Sequence, residues 1–286
     1  MTLRTAALTA LAMAAFAANS ILCRAALGGQ PAIDAASFST LRLVSGALSL
    51  LLVDAVRTRT PTLRGGSWGS AALLFVYAVP FSFAYTSLAT GTGALILFGC
   101  VQATMLASGL RAGERPRPRQ WLGLVLAVAG LVYMVSPGVS APSPVGSALM
   151  AMAGVGWGLY SVRGRGATDP LAQTRASFVR SVPMVLIVSA LFVRHAQMTP
   201  TGVGLAVASG AVASGLGYAV WYTALPGLTA TAAATVQLTV PVIAAVGGVL
   251  FMSETVTARL LIASVLILGG VMLALTPHRN ARLDSA

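Results

Sequence analysis

The sequence predicts an all-α membrane protein of ten transmembrane helices arranged as two inverted five-helix repeats. Three observations lead there. Of the 286 residues, 57% are hydrophobic and 8% charged, with a mean hydropathy of +0.85. A soluble domain carries about 25% charged residues, so this chain cannot coat a water-facing surface. Apolar runs of about 20 residues, long enough to cross a roughly 30 Å hydrocarbon core, recur along it. One stretch is also written twice. Glu114–Pro137 (ERPRPRQWLGLVLAVAGLVYMVSP) and Glu254–Pro277 (ETVTARLLIASVLILGGVMLALTP) superpose Glu114 on Glu254, Arg119 on Arg259, Gly130 on Gly270 and Pro137 on Pro277.

The spans are expected at 4–26, 36–56, 68–88, 92–110, 119–136, 145–163, 172–193, 202–224, 229–252 and 258–276. MTLRTAALTALAMAAFAANS could pass for a signal peptide, but its counterpart in the second half makes it the first span. Gly28-Gly29-Gln30-Pro31 separates spans 1 and 2, and Pro61 with Gly65-Gly66 precedes span 3. Gly91 and Gly93 mark the turn before span 4. Arg115-Pro116-Arg117-Pro118 cannot be helix interior, because closely spaced prolines break the hydrogen-bond ladder. Pro142, Pro144, Asp169-Pro170, Thr199-Pro200 and Pro226-Gly227 punctuate the second half. The connections are short, so function must be built inside the bundle.

All 18 basic residues are arginines, and the net charge is +12. They cluster in short loops, which concerns membrane orientation and not a nucleic-acid partner. With the N-terminus in the cytoplasm, the inner side receives Arg4, Arg57, Arg59, Arg64, Arg111, Arg115, Arg117, Arg119, Arg163, Arg165, Arg175, Arg279 and Arg282. The outer side receives only Arg24, Arg194 and Arg259. Both termini are therefore expected in the cytoplasm. Five spans per half is an odd number, so residues 1–140 and 141–286 should lie in the membrane with opposite orientation. Further echoes support two halves: Ala36-Ser37-Phe38 equals Ala176-Ser177-Phe178, and Tyr85-Thr86 matches Tyr222-Thr223. Inverted repeats underlie many secondary transporters, with substrate bound near the midplane.

This chain resembles the drug/metabolite transporter superfamily, specifically its EamA-type members. The resemblance rests on Gly113-Glu114 and Ser253-Glu254 after spans 4 and 9, the Gly-rich spans 5 and 10, and Arg42 and Arg180 in spans 2 and 7. It implies a bundle around a central cavity lined mainly by spans 1, 3, 4, 6, 8 and 9, with spans 5 and 10 at the back. It also implies a secondary transporter working by alternating access. Within the family it resembles amino-acid exporters of bacterial inner membranes, with drugs or nucleosides as the alternative cargo.

Polar groups in hydrocarbon are costly and usually face the bundle interior. Asn19, Gln102 and Gln237 lie well inside spans 1, 4 and 9. Their amides offer donors and an acceptor to a polar or zwitterionic solute. Cavities for small organic molecules also need aromatic walls. Trp157 among Gly154, Gly156 and Gly158 is the leading candidate, followed by Tyr85, Tyr160 and Tyr218. Trp221 and Tyr222 lie near the inner interface, where a belt role competes. Arg42 and Arg180 have no acidic partner within the spans. A clamp for carboxylate or phosphate competes there with snorkelling to the interface, and snorkelling is favoured because each lies about two turns from a span end. Glu114–Arg119 and Glu254–Arg259 are expected to be structural ion pairs, since a carboxylate at a helix C-terminus needs another partner.

The spans hold no His, no Lys and no paired carboxylates, which points away from an enzyme, a metal site or a cofactor. Cys23 and Cys100 have neither disulfide-framework nor metal-ligand spacing. The expected partners are a small solute and membrane lipids, with a monomer as the default. A non-transporting membrane protein, either an interaction module or a lipid-handling enzyme, is the alternative and would be a closed bundle.

Overall fold

A computed structural model describes residues 2–58, 65–113, 118–138, 140–164, 168–228 and 230–275. The described backbone is nearly all helical. Its one sheet-like feature is an isolated antiparallel bridge between Ile33 and Met198. The helices are α1 (Leu3–Leu27), α2 (Ala35–Thr58), α3 (Trp68–Ala84), α4 (Thr90–Arg111), α5 (Pro118–Val135), α6 (Pro144–Gly164) and α7 (Pro170–Leu191). Then α8 covers 200–224, α9 comes in two pieces, Ala230–Gln237 and Thr239–Met252, and α10 is Ala258–Leu275. Among the described residues, eight helical spans are long and apolar enough to cross a membrane. The exceptions are α3 and α10, which are shorter apolar helices. At 17 residues, α3 reaches roughly 25 Å at 1.5 Å per residue, a little short of the hydrocarbon core. It stops at Ala84, four residues before the expected end.

Several breaks read as turns are helix starts. Asp169 accepts a hydrogen bond from the Ala172 N–H, and Thr199 from the Gly202 N–H. Each is followed by a proline, whose missing donor costs nothing in the first turn. Two later helices are irregular. From Ala208 to Leu216, α8 is π-helical between regular Pro200–Val207 and Gly217–Ala224. This run of Gly, Ala and Ser lies against α2: a Cβ on Gly210 would fall 2.1 Å from the Arg42 carbonyl. The interruption of α9 at Leu238 has a plain cause. Pro241 has no N–H to offer the carbonyl of Gln237, four residues earlier.

Helices alternate in direction, so the bundle has a near end, where α1 starts, and a far end. Helix α1 packs on α8 and on the second piece of α9, while α6 packs on α3 and α4. Helix α2 packs on α7, and α5 on α10. The α5–α10 pair touches the rest mainly through α4 and the first piece of α9, so the twice-written stretch forms one peripheral pair. Its seam is backbone against backbone. A Cβ on Gly123 would lie 2.4 Å from the Gly270 carbonyl oxygen, and one on Gly270 would lie 2.5 Å from that of Gly123. Small residues allow such approach where lipid supplies no hydrophobic drive.

Gly269 and Gly270 therefore separate propensity from packing. Nothing lies within 4 Å of a Cβ on Gly269. Gly269→Ala should leave the melting temperature in detergent unchanged or raise it, since Ala is favoured in helices by about 1 kcal/mol. Gly270→Ala should lower it by several degrees. Equal effects would refute a glycine-dependent seam.

Candidate functional site

Arg42 is at the centre of the described polar network. It is 1% exposed, which overturns the snorkelling expectation for this residue. Its position on α2 faces α3, so the side chain is held by protein and does not reach an interface. Its guanidinium carbon lies 5.1 Å from the ring centre of Tyr77 and 4.7 Å from that of Phe81, which are one helical turn apart on α3. Nη2 donates to the Tyr77 hydroxyl at 2.8 Å, and Asn19 Nδ2 donates to the same oxygen at 3.1 Å. The Ser209 hydroxyl, in the π-helical stretch, donates to Asn19 Oδ1 at 2.6 Å. The network thus ties α1, α2, α3 and α8. Arg42 Nη1 is buried without a hydrogen-bond partner among the described residues, as is the Ser214 hydroxyl. Arg180 differs: it is partly exposed and donates to the Gly65 carbonyl at 2.9 Å.

Aromatic rings wall this network. Trp157 stacks on Tyr218 at 5.3 Å and on Tyr160 at 5.4 Å, and meets Tyr77 at 4.9 Å. Phe16 contacts Tyr218 and Trp221. Trp221 is buried, so it belongs to the interior and not to an interfacial belt. Trp68 and Trp121 are exposed near the near end, as belt residues should be. The central chamber, lined by Asn19, Tyr77, Phe81, Trp157, Ser214 and Tyr218 among others, measures about 20 Å³. That is room for about one water. The expected wide cavity is therefore closed in this conformation. A larger cavity of about 450 Å³ lies at the far end, beside Ser87, Thr92, Ser143, Glu254 and Thr257. Size favours that one and chemistry favours the centre, because Glu254 is already partnered by a cation, whereas Arg42 Nη1 has no hydrogen-bond partner among the described residues.

Both ends are tied across the bundle. At the far end, Arg24 Nε lies 3.1 Å from Glu254 Oε1. Both carboxylate oxygens of Glu254 also accept from the Thr90 N–H, at 3.0 and 2.8 Å. Glu254 thus sits on the positive end of α4 as well as beside a cation. Ser253 makes this possible. It is the one described non-glycine residue with positive φ, at 52°, and it turns the chain away from α9. Nearby, Asp34 Oδ2 accepts from the Gln197 N–H at 3.0 Å, and the Asp34 N–H donates to the Gln197 carbonyl. Partial burial would raise the pKa of Asp34. Hydrogen bonds from Ser37, Gln197 and Ala36 outweigh it and hold the group below the usual carboxylate value. At the near end, Arg175 on α7 bonds Asp54 on α2 at 2.6 Å. Tyr160, Thr174 and Tyr222 form a hydroxyl chain beside them.

The structure sorts the expected site residues. Asn19, Trp157, Tyr160 and Tyr218 come together at the centre. Tyr85 does not: it caps α3, lies under the start of α4 and donates to the Thr90 carbonyl. Gln237 lies at the break in α9, where its amide donates to its own helix at Ala233. Gln102 is buried one turn beyond Phe98 on α4, outside the chamber lining. The expected Glu254–Arg259 pair is replaced by Glu254–Arg24, because the Ser253 turn aims the carboxylate at α4. Arg259 instead donates to the carbonyls of Tyr133, Met134, Ser136 and Pro137, at the negative end of α5. Arg119 is exposed on the first turn of α5. Glu114 lies outside the described residues, as do Arg59, Arg64, Arg115, Arg117, Arg165, Arg279 and Arg282. Tyr77, Phe81, Ser209 and Arg42 as a central group were not singled out from the sequence. The signal for Arg42 was its lack of any acidic neighbour in the spans.

The described residues form a multi-helix bundle with a closed polar core, and comparison with known proteins gives the family. The EamA-like transporter family matches the chain twice, over residues 3–136 and 144–276. The chain belongs to this family, within the drug/metabolite transporter superfamily, and is a multi-pass membrane protein whose family carries small molecules. It is 52% identical to an uncharacterized protein of Pseudomonas aeruginosa over 96% of both chains. It is 28% identical to the threonine/homoserine exporter RhtA of Escherichia coli, over 88% of this chain and 86% of that one. A solved crystal structure with 20% sequence identity superposes with a TM-score of 0.67, covering 94% of this chain and 97% of the other, which supports the fold.

The Glu254 assignment can be checked by double-mutant cycles. Arg24→Ala and Glu254→Ala should be non-additive by about 0.5–3 kcal/mol in unfolding free energy. Arg259→Ala and Glu254→Ala should add within about 0.5 kcal/mol. The reverse pattern would restore the sequence-based pair.

Proposed function

We propose that the protein is a secondary transporter that exports small metabolites, amino acids first among them, across the bacterial inner membrane by alternating access. The observation that carries this reading is a polar, aromatic-walled central chamber closed toward both ends by ties between the two halves of the chain. Arg24–Glu254 and Asp34–Gln197 close the far end, and Asp54–Arg175 closes the near end. Opening one set while keeping the other would expose the chamber to one side at a time. In this reading all ten helices cross the membrane, the near end with both termini is cytoplasmic, and residues 1–140 and 141–286 are inverted repeats. The packing pattern supports the repeats: exchanging the halves turns α1 on α8 into α6 on α3, and α1 on α9 into α6 on α4. The π-helical stretch of α8 and the break in α9 supply places where helices can bend.

The E. coli relative's name brings threonine and homoserine forward as first solutes to test. Among the described residues no carboxylate lines the central chamber, so a proton relay through a midplane acid has no support there. A second reading, a closed bundle that moves nothing, rests on the smallness of the chamber.

Purified protein in proteoliposomes loaded with radiolabelled L-threonine, homoserine and other amino acids should catalyse efflux. Comparison with and without a pH gradient measures coupling. Trp157→Ala and Asn19→Ala should each lower kcat/KM by about tenfold or more, about 1.4 kcal/mol in transition-state binding. Failure to move any amino acid would remove the amino-acid reading, and transport of a drug or nucleoside would then replace it.

A further inference from the structure

We infer that Arg42 binds a carboxylate on the solute, so the central site takes small molecules with a free carboxylate and rejects their amides and decarboxylated amines. This narrows the transporter reading above to a substrate class and rests on it.

The guanidinium is a planar fork of five N–H donors that stays charged in proteins. Here one arm is used and one is bare. Nη2 is held by the Tyr77 hydroxyl, while Nη1 is buried and unpartnered among the described residues. The described acidic groups lie elsewhere. Asp34 and Glu254 are engaged at the far end, Asp54 pairs with Arg175 at the near end, and Asp169 caps α7. Arg42 lies behind Tyr77 and Phe81, which line the chamber, and among the described residues its charge is met by their ring faces and the Tyr77 hydroxyl and by no carboxylate. A buried cation left this way is costly, and a ligand of opposite charge relieves the cost.

A carboxylate matches the site in charge and shape. One negative charge balances one guanidinium, and two oxygens can accept from Nη1 and Nη2 together. Such binding would displace the Tyr77 hydroxyl from Nη2, and that oxygen would keep Asn19 Nδ2 as a donor. The faces of Trp157, Tyr218 and Phe16 remain for the rest of the molecule, including an ammonium group, which aromatic faces attract. At about 20 Å³, the closed chamber admits no such solute, so it must enter through an opened end. A purely structural Arg42 would matter for stability alone and would confer no preference among solutes.

The test uses the full chain in lipid nanodiscs and in proteoliposomes. The probes are L-amino acids, their C-terminal amides, the corresponding amines, and 2-hydroxy and aliphatic monocarboxylates. Thermal stabilisation and competition with efflux are read in parallel. With wild-type protein, acids should bind and compete at least about tenfold more tightly than amides or amines, a difference of about 1.4 kcal/mol. Arg42→Lys should retain the preference with KM raised about tenfold, because the charge stays and the bidentate fork is lost. Arg42→Gln should treat acid and amide alike. Wild type that accepts amides as readily as acids, or binds no carboxylate at all, would overturn the inference, as would an Arg42→Gln protein that keeps the preference. If Arg42→Gln does not fold, the wild-type series and Arg42→Lys decide. Efflux of amino acids and amides alike would sink the Arg42 inference and leave the transporter reading intact. Stabilisation by acids alone with no transport of any solute would do the opposite.

Discussion

A cation buried among protein groups, with no counter-ion among the described residues, is the constraint around which this molecule is arranged. Arg42 can remain charged inside the bundle because two aromatic faces of α3 lie against it and the Tyr77 hydroxyl takes one of its protons. Each of those groups is then fixed by another. Asn19 orients Tyr77, Ser209 orients Asn19, and Ser209 is carried by the stretch of α8 that is wound as a π-helix. That stretch presses on the backbone of α2 at Arg42 itself, where only glycine at position 210 leaves enough room. The centre is thus a closed loop of dependencies through four helices.

Away from the centre, charge is handled in the opposite way. Every described acidic side chain has donors close by: Glu254 has Arg24 and the start of α4, Asp54 has Arg175, Asp34 has the loop at Gln197, and Asp169 has the start of α7. Arg259 reaches the carbonyls that end α5. These pairings lie toward the ends of the bundle.

Some of this was legible in the sequence for definite reasons. The helices were, because apolar length is a one-dimensional property that a bilayer imposes. The pairing of α5 with α10 is marked by the duplicated glycine at 130 and 270. Asn19 and Trp157 were visible because a polar group or a bulky aromatic among small residues stands out in an apolar run. The partner of Glu254 was not. Arg259 is five residues away along the chain and Arg24 is 230, and the turn at Ser253 that selects the distant one depends on a backbone angle that sequence patterns do not reveal. The buried position of Arg42, read as snorkelling over a clamp, was missed for a related reason. Its distance from the span end was counted along α2, whereas its environment is set by α3.

The sequence by itself determined that the chain is a helical membrane protein, that it is written in two matching halves, and to which family it belongs. Composition and repetition survive in one dimension, so these can be read without coordinates. The tertiary structure alone decided which polar groups meet. It separated Arg42 from Arg180, brought Asn19 to Tyr77 and Trp157 to Tyr218, moved Tyr85 and Gln237 out of the centre, and closed both ends. Those outcomes depend on how helices face one another, and in a bundle where nearly every surface is apolar, periodicity carries almost no signal about facing.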